Sequence, residues 1–220
     1  SSIFDMIGPV MIGPSSSHTA GVVRIARIAV KLLGRIPEEA EITFYTSFAR
    51  TYEGHGSDKA IIGGLLDFET DDSRIKNAFD FAEEAGLEYN FQSVGNDSTL
   101  HPNTINFALK SGDRTFKVTG ISKGGGLIEI ISVDGFNAHF SGQLHTLIIF
   151  AKDKAGSISF ISSVLANEDC NIATMSVSRT GKDHIACLMI EADSKVRDLS
   201  LSYLKSLDWI QKVIYIPIMS

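Results

Sequence analysis

The sequence predicts an α+β fold in two parts, an α/β sandwich over residues 1–142 and a βαββαβ module over 143–220. Three observations carry this expectation. Helices and strands mix around a hairpin instead of alternating as in a doubly wound sheet. Glycine and serine cluster at Ser122 to Gly126 and again at Ser141-Gly142, as linkers do. The charge balance changes at Gly142, with 18 acidic against 12 basic residues up to it and 8 against 8 beyond. A chain of 220 residues has room for two small cores.

Each element follows from its pattern. Val22, Val23, Ala26, Ala29, Val30 and Leu33 recur at helical spacing from about Ser17 to Leu33, and Gly34 supplies the stop. Ile42, Phe44 and Phe48 suggest a strand with one face inward. The loop Gly54-His55-Gly56 leads to a helix from Ser57 to about Asp67, capped by Ser57 or Asp58. A third helix is expected from about Asp72 to Ala85, ending at Gly86. Thr104 to Lys110 and Thr115 to Ile121 read as strands paired across the turn Ser111-Gly112-Asp113-Arg114, and Leu127 to Val133 as a further strand.

In the second part, Leu144 to Ala151 is a strand and Gly156 to Asn167 a helix with Ile158, Ile161 and Leu165 inward. Ile172 to Arg179 and His184 to Glu191 are strands on either side of Thr180-Gly181-Lys182-Asp183. Val196, Leu199, Tyr203 and Leu207 mark a helix, and Val213 to Ile216 the last strand. The order βαββαβ implies two layers with an antiparallel sheet. Its apolar edges favour self-association unless they are paired.

Composition removes several classes of function. Apolar residues make up 44% and charged residues 21%, the balance of an ordinary folded protein. A net charge of −6, with no basic patch interleaved with aromatics, argues against nucleic acid or an anionic membrane as the main partner. No apolar run reaches the roughly eighteen residues of a membrane span. The start carries no charged region followed by an apolar one, so a cytoplasmic location is expected. Two cysteines, Cys170 and Cys187, form no C-x-x-C and lie in apolar runs, which reads as two small buried hydrophobes. Two thiols cannot supply the four that normally hold an iron–sulfur cluster.

The densest polar signal is Gly13 to Gly21, reading G-P-S-S-S-H-T-A-G at a helix start. Ser15, Ser16, Ser17, His18 and Thr19 gather there with unpaired backbone N–H groups and the positive end of the helix dipole, an arrangement that stabilises an anion. A bare helix cap would need one or two serines, so the run reads as a site. Arg24, Arg27, Lys31 and Arg35 follow along the same helix. They could steer an anion, but the reading preferred here is the solvated face. His55, between two glycines, is either a general base near neutral pH or incidental to the turn, and the residues alone leave both open.

His101-Pro102-Asn103-Thr104 is a stiff polar turn in which Asn103 can both donate and accept. Gly124, Gly125 and Gly126 could curl their N–H groups into an anion nest, although the order is not that of a P-loop. In the second part, Asp153 and Gly156 after the first strand, with Asn171 and Ile172 at the second, are expected near one edge of the sheet within reach of a small ligand. A plain strand–helix turn explains Gly156 equally well.

Taken together, four segments of the first part resemble the β subunit, or N-terminal region, of bacterial iron–sulfur-dependent L-serine dehydratases. They are G-P-S-S-S-H-T-A-G at 13–21, Y-E-G-H-G-S-D-K-A-I-I-G-G-L at 52–65, L-H-P-N-T at 100–104 and S-K-G-G-G-L-I at 122–128. The resemblance implies an allosteric-substrate-binding-like domain over 1–142. The second part is similar to an ACT domain, a ferredoxin-like module that commonly binds amino acids and pairs across sheet edges. Members of the family convert L-serine to pyruvate and ammonia without pyridoxal phosphate. A four-iron, four-sulfur cluster acts there as Lewis acid on the substrate hydroxyl while a base removes the Cα proton.

The family's cluster cysteines belong to a catalytic α subunit, which is therefore the implied partner, with no metal held by this chain. His55 matches the histidine for which a base role has been proposed. Ser15 to Thr19, His101, Asn103 and Gly124 to Gly126 match positions of a substrate or effector surface for L-serine. Asp153, Gly156, Asn171 and Ile172 fall where amino-acid effectors contact ACT folds. Related domains in some phosphoglycerate dehydrogenases respond to serine or anions. The competing readings are accordingly a non-catalytic serine-sensing module and an assembly subunit whose second part only dimerises.

Overall fold

The computed structural model describes residues 17–45, 57–95, 100–179 and 184–219, and for residues 17 and 18 the backbone alone. The chain divides into two compact units, with the boundary between Gly135 and Phe136.

The first unit is built around helix α1 (Ser17–Leu33). From Thr19 to Leu33 every residue is buried except Arg24 and Lys31, which are partly so. Each fully buried Val, Ile or Leu contributes on the order of 1.5–3 kcal/mol, so this helix is a central element and not a surface one. Helix α2 (Ser57–Leu65) covers it on one side. There Gly64 brings the backbones together: a Cβ at this position would lie 2.8 Å from the Val23 carbonyl oxygen.

On its other side α1 meets a sheet whose strands in this unit are β1 (Glu39–Tyr45), β2 (Glu88–Val94), β3 (Thr104–Ser111), β4 (Arg114–Gly124) and β5 (Leu127–Val133). Within this unit the strand order is β2-β1-β3-β4-β5. β1 and β2 run parallel, while β1–β3, β3–β4 and β4–β5 are antiparallel. Ala40, Ile42 and Phe44 of β1 are buried, and Ile25 of α1 packs over Gly120 of β4.

One expectation changes here and one strand is new. The helix expected from Asp72 to Ala85 is instead a 3₁₀ turn (Ser73–Asn77) followed by α3 (Ala78–Glu84). Asp72 caps the turn, accepting from the Arg74 N–H at 2.9 Å, and Asn77 interrupts the α geometry. Strand β2 carries no sequence signal. β2 is an edge strand exposed at six of its seven residues, so burial leaves no period-two pattern in it. Phe48 lies outside the described residues.

The second unit, Phe136–Met219, contains β6 (Phe136–Phe140), which carries no sequence signal, and then a module of β7 (His145–Lys152), α4 (Ser157–Ala166), β8 (Ile172–Arg179), β9 (Ile185–Ala192), α5 (Asp198–Lys205) and β10 (Ile210–Ile216). The element order is the expected βαββαβ, and the antiparallel sheet runs β10-β7-β9-β8. Leu147, Ile149, Leu188 and Ile190 pack with Ile161, Leu165, Leu201 and Leu204 in one core. The helix faces differ from expectation. Ile158 is exposed on α4, and α5 turns Leu201 and Leu204 inward while Leu199 is 81% exposed and Tyr203 also faces out. Val196 and Leu207 flank α5 without belonging to it. Among the described residues, no helix is long and apolar enough to cross a membrane.

Candidate functional site

The strand register places several chain ends at one end of the first unit. Tyr45 pairs with Val94, Phe44 with Ile105 and Thr104 with Ile121, so the ends of β1 and β2, the start of β3 and the far part of β4 coincide. The N-termini of α1 and α2 arrive at the same place. Thr19 Oγ1 in the first turn of α1 lies 3.3 Å from Ser57 Oγ in the first turn of α2, and both residues are buried. Gly21 sits on Ser122, whose Oγ would be 2.2 Å from a Cβ at position 21. The Ser122 N–H donates to the Asn103 carbonyl at 3.1 Å. Four segments far apart in sequence, represented by Thr19 and Gly21, Ser57, Asn103 and Ser122, thus meet.

Around them the polar groups are locally ordered. Thr104 Oγ1 donates to the His101 carbonyl at 2.7 Å, and the Asn103 N–H donates to His101 Nδ1 at 3.2 Å. That contact makes Nδ1 an acceptor and leaves Nε2 to carry the proton. His101 is exposed and Asn103 half-buried. No acidic residue occupies the first turn of α1, so its positive end is not offset by a carboxylate of its own helix. Asp58 lies in the first turn of α2. The glycine run closes the β4–β5 hairpin: Gly124 pairs with Leu127, leaving Gly125 and Gly126, at φ 62° and 76°, as its two turn residues. The Gly126 carbonyl accepts from Arg24 Nη1 at 2.7 Å.

Arg24, Arg27 and Lys31 do not form a solvated face, which corrects the preferred reading for these three, while Arg35 is exposed as that reading expects. Arg27 is buried, with its Nε 3.1 Å from Asp67 Oδ1, and Lys31 Nζ donates to Asp67 Oδ2 at 2.5 Å. Glu69 stands 3.7 Å from Arg27. Arg24 is half-buried; burial, then the charge of Arg27, lowers its proton affinity. Among the described residues, Arg24 Nε and Arg27 Nη1 are buried without a hydrogen-bond partner. The helix spacing that suggested a surface stripe gave no hint of Asp67, two residues beyond the end of α2, which receives two of these cations.

Ser15, Ser16 and His55 lie outside the described residues, as do the side chains of Ser17 and His18. Sequence reasoning passed over Ser57 and Ser122 as site residues, although both stand inside the segments it singled out. A shallow groove of about 420 Å³ crosses β1 to β4 between Glu39, Glu41, Lys110 and Lys117, and none of the four segments lines it.

In the second unit the expected grouping fails within one chain. β7 and β8 are both antiparallel to β9 and so run in the same direction. Asp153, after the end of β7, pairs with Arg179 at the end of β8 at 3.3 Å. Asn171 precedes β8 and donates to Asp193 beyond the far end of β9. Ile172 pairs with Ala192, itself opposite His145 at the start of β7. Asp153 and Gly156 therefore lie at the opposite end of the sheet from Asn171 and Ile172, because each pair flanks a different end of two co-directional strands. Gly156 caps α4 at φ 85°. Cys170 and Cys187 are both buried, and among the described residues no group of three His, Cys, Asp or Glu could hold a metal. These residues do not fit a cluster ligated by four thiolates.

Comparison with known proteins settles the family. The serine dehydratase beta chain family matches residues 2–88. A protein of Bacillus subtilis (strain 168) called "Probable L-serine dehydratase, beta chain" is 46% identical over 206 residues, 94% of this chain and 93% of that one. The chain belongs to the serine dehydratase beta chain family. A beta chain of L-serine dehydratase from Peptoniphilus asaccharolyticus is 36% identical over 90% of this chain and 89% of its own length. D-3-phosphoglycerate dehydrogenase of Bacillus subtilis (strain 168) is 28% identical over 64% of this chain and 27% of its own. The ACT domain from GTP pyrophosphokinase of Chlorobium tepidum is 24% identical, covering 33% of this chain and 83% of its own at a TM-score of 0.27. For this beta chain, the βαββαβ architecture of the second unit rests on its own strand order.

Proposed function

We propose that this chain is the β subunit of an L-serine dehydratase that converts L-serine to pyruvate and ammonia together with an α subunit. One observation carries the reading: four sequence segments meet at one end of the first unit, where two helix N-termini converge on Thr19 and Ser57. Two positive helix ends favour a carboxylate. Family membership makes the carboxylate of serine the natural occupant.

Within this reading His55, two residues ahead of Ser57 in sequence, is the base that takes the Cα proton. Loss of the β-hydroxyl then leaves the enamine 2-aminoacrylate, which tautomerises and takes up water to give pyruvate and ammonia, so the water lost is regained. The four-iron, four-sulfur cluster belongs to the α subunit, since the two buried cysteines here cannot ligate it. Ser15 to His18, His101, Asn103 and the glycine turn form the substrate or effector surface. The second unit is an ACT domain that self-associates through an edge such as β8, where Val177 is exposed. Sedimentation of the isolated chain checks this: a monomer at high concentration would remove the edge from the account.

The test of the base is His55→Ala in enzyme reconstituted with the α chain. Turnover is expected to fall by roughly 10²–10⁴, the usual contribution of a general base. Unchanged turnover would sink the assignment. The similarity to D-3-phosphoglycerate dehydrogenase favours a second reading, a serine-sensing regulatory module. That reading requires heat of binding with L-serine and no pyruvate from the reconstituted pair.

A further inference from the structure

The hydroxyls of Thr19 and Ser57 have an arrangement that ligand contact alone does not call for. Each occupies the first turn of its helix, and they lie 3.3 Å apart. Thr19 is 2% exposed and Ser57 6%, so both are covered by protein. The first turn of α1 is fixed from a second direction by the seating of Gly21 on Ser122. Two helix dipoles act on one anion only while their N-termini hold a set separation and angle, because the effect fades within a turn. A buried hydroxyl pair joining the two first turns is a device for holding that geometry.

We propose that Thr19 and Ser57 act as one positioning pair that holds the two helix N-termini around the substrate carboxylate, and that Thr19 is not itself a substrate ligand. The inference rests on the dehydratase reading and adds to it a specific division of labour. The carboxylate is present in ground state and transition state alike, so misplacing its donors weakens both equally and raises KM. A hydroxyl that merely supported folding would lower the amount of active enzyme and leave KM unchanged.

The experiment is a double-mutant cycle in the enzyme reconstituted with its α chain, using Thr19→Val, Ser57→Ala and the double variant, with Thr19→Ser as the conservative control. Each single variant is expected to raise KM for L-serine about tenfold with kcat within about threefold, and the double variant no further, because a pair acts as a unit. Thr19→Ser keeps the hydroxyl and is expected to stay within about threefold of wild type. Multiplying losses in the double variant would mean independent ligand contacts and overturn the pair. So would an unchanged KM in both single variants, or a Thr19→Ser loss as large as that of Thr19→Val. If Thr19→Val melts below the assay temperature, Ser57→Ala with Ser57→Thr as its rescue decides in its place. Wild-type pairs that form no pyruvate would overturn the dehydratase reading, and this proposal with it. Active wild type with multiplying losses removes the pair alone.

Discussion

Asp67 occupies a left-handed backbone conformation, at φ 60°, and accepts from both Arg27 and Lys31. Asparagine tolerates that conformation, so Asp67→Asn removes the charge without adding backbone strain. It leaves Arg27, 91% buried at the side chain, beside cations with Glu69 as its nearest carboxylate. The carboxylate of Asp67 is itself partly exposed, which keeps the loss below that of a fully buried pair. A destabilisation of about 1–3 kcal/mol is expected, read as a lower denaturant midpoint at unchanged slope. Asp67→Ala should cost more, since alanine in the left-handed region adds strain of roughly 1 kcal/mol. Equal midpoints for the two variants would show that the backbone conformation contributes nothing here.

At the scale of elements, the contact between α1 and α2 is set by Gly64. A methyl group there meets the Val23 carbonyl at 2.8 Å and the Ala26 Cβ at 2.9 Å, and backbone atoms cannot swing aside as a side-chain tip can. Gly64→Ala is therefore expected to cost about 2–3 kcal/mol despite its better helix propensity. Gly120→Ala instead meets the ends of the Ile25 and Ile130 side chains, which can shift, and should cost less. A thermal melt of both variants checks the order; a more stable Gly64→Ala would mean the helices do not touch as described.

Most elements were legible because their burial is one-sided: the run from Val22 to Leu33 predicted α1 to its observed limits, and Leu127 to Val133 predicted β5. What escaped has a physical cause in each case. β2 is exposed along nearly its whole length, so no alternation marks it. In α5 the apolar residues Leu199 and Tyr203 point outward while Leu201 and Leu204 hold the core, a choice that only the sheet beneath can impose.

For the molecule as a whole, the motifs were legible and their meeting was not. Contact between Thr19, Ser57, Asn103 and Ser122 depends on the strand order β1-β3-β4, which no spacing along the chain encodes. The same holds for Asp153 and Asn171, expected together and found at opposite ends of a sheet. Membership of the serine dehydratase beta chain family and the convergence of helix N-termini in the first unit support the function proposed above, in which this chain contributes a substrate-binding surface and a partner holds the cluster. Its most direct test is anaerobic pyruvate formation from L-serine by this chain alone, by the α chain alone and by the two combined. Turnover only in the combined sample, with iron retained on the α chain, is the expected result. Pyruvate formed by this chain alone, or none from the combined sample loaded with iron, would contradict the account.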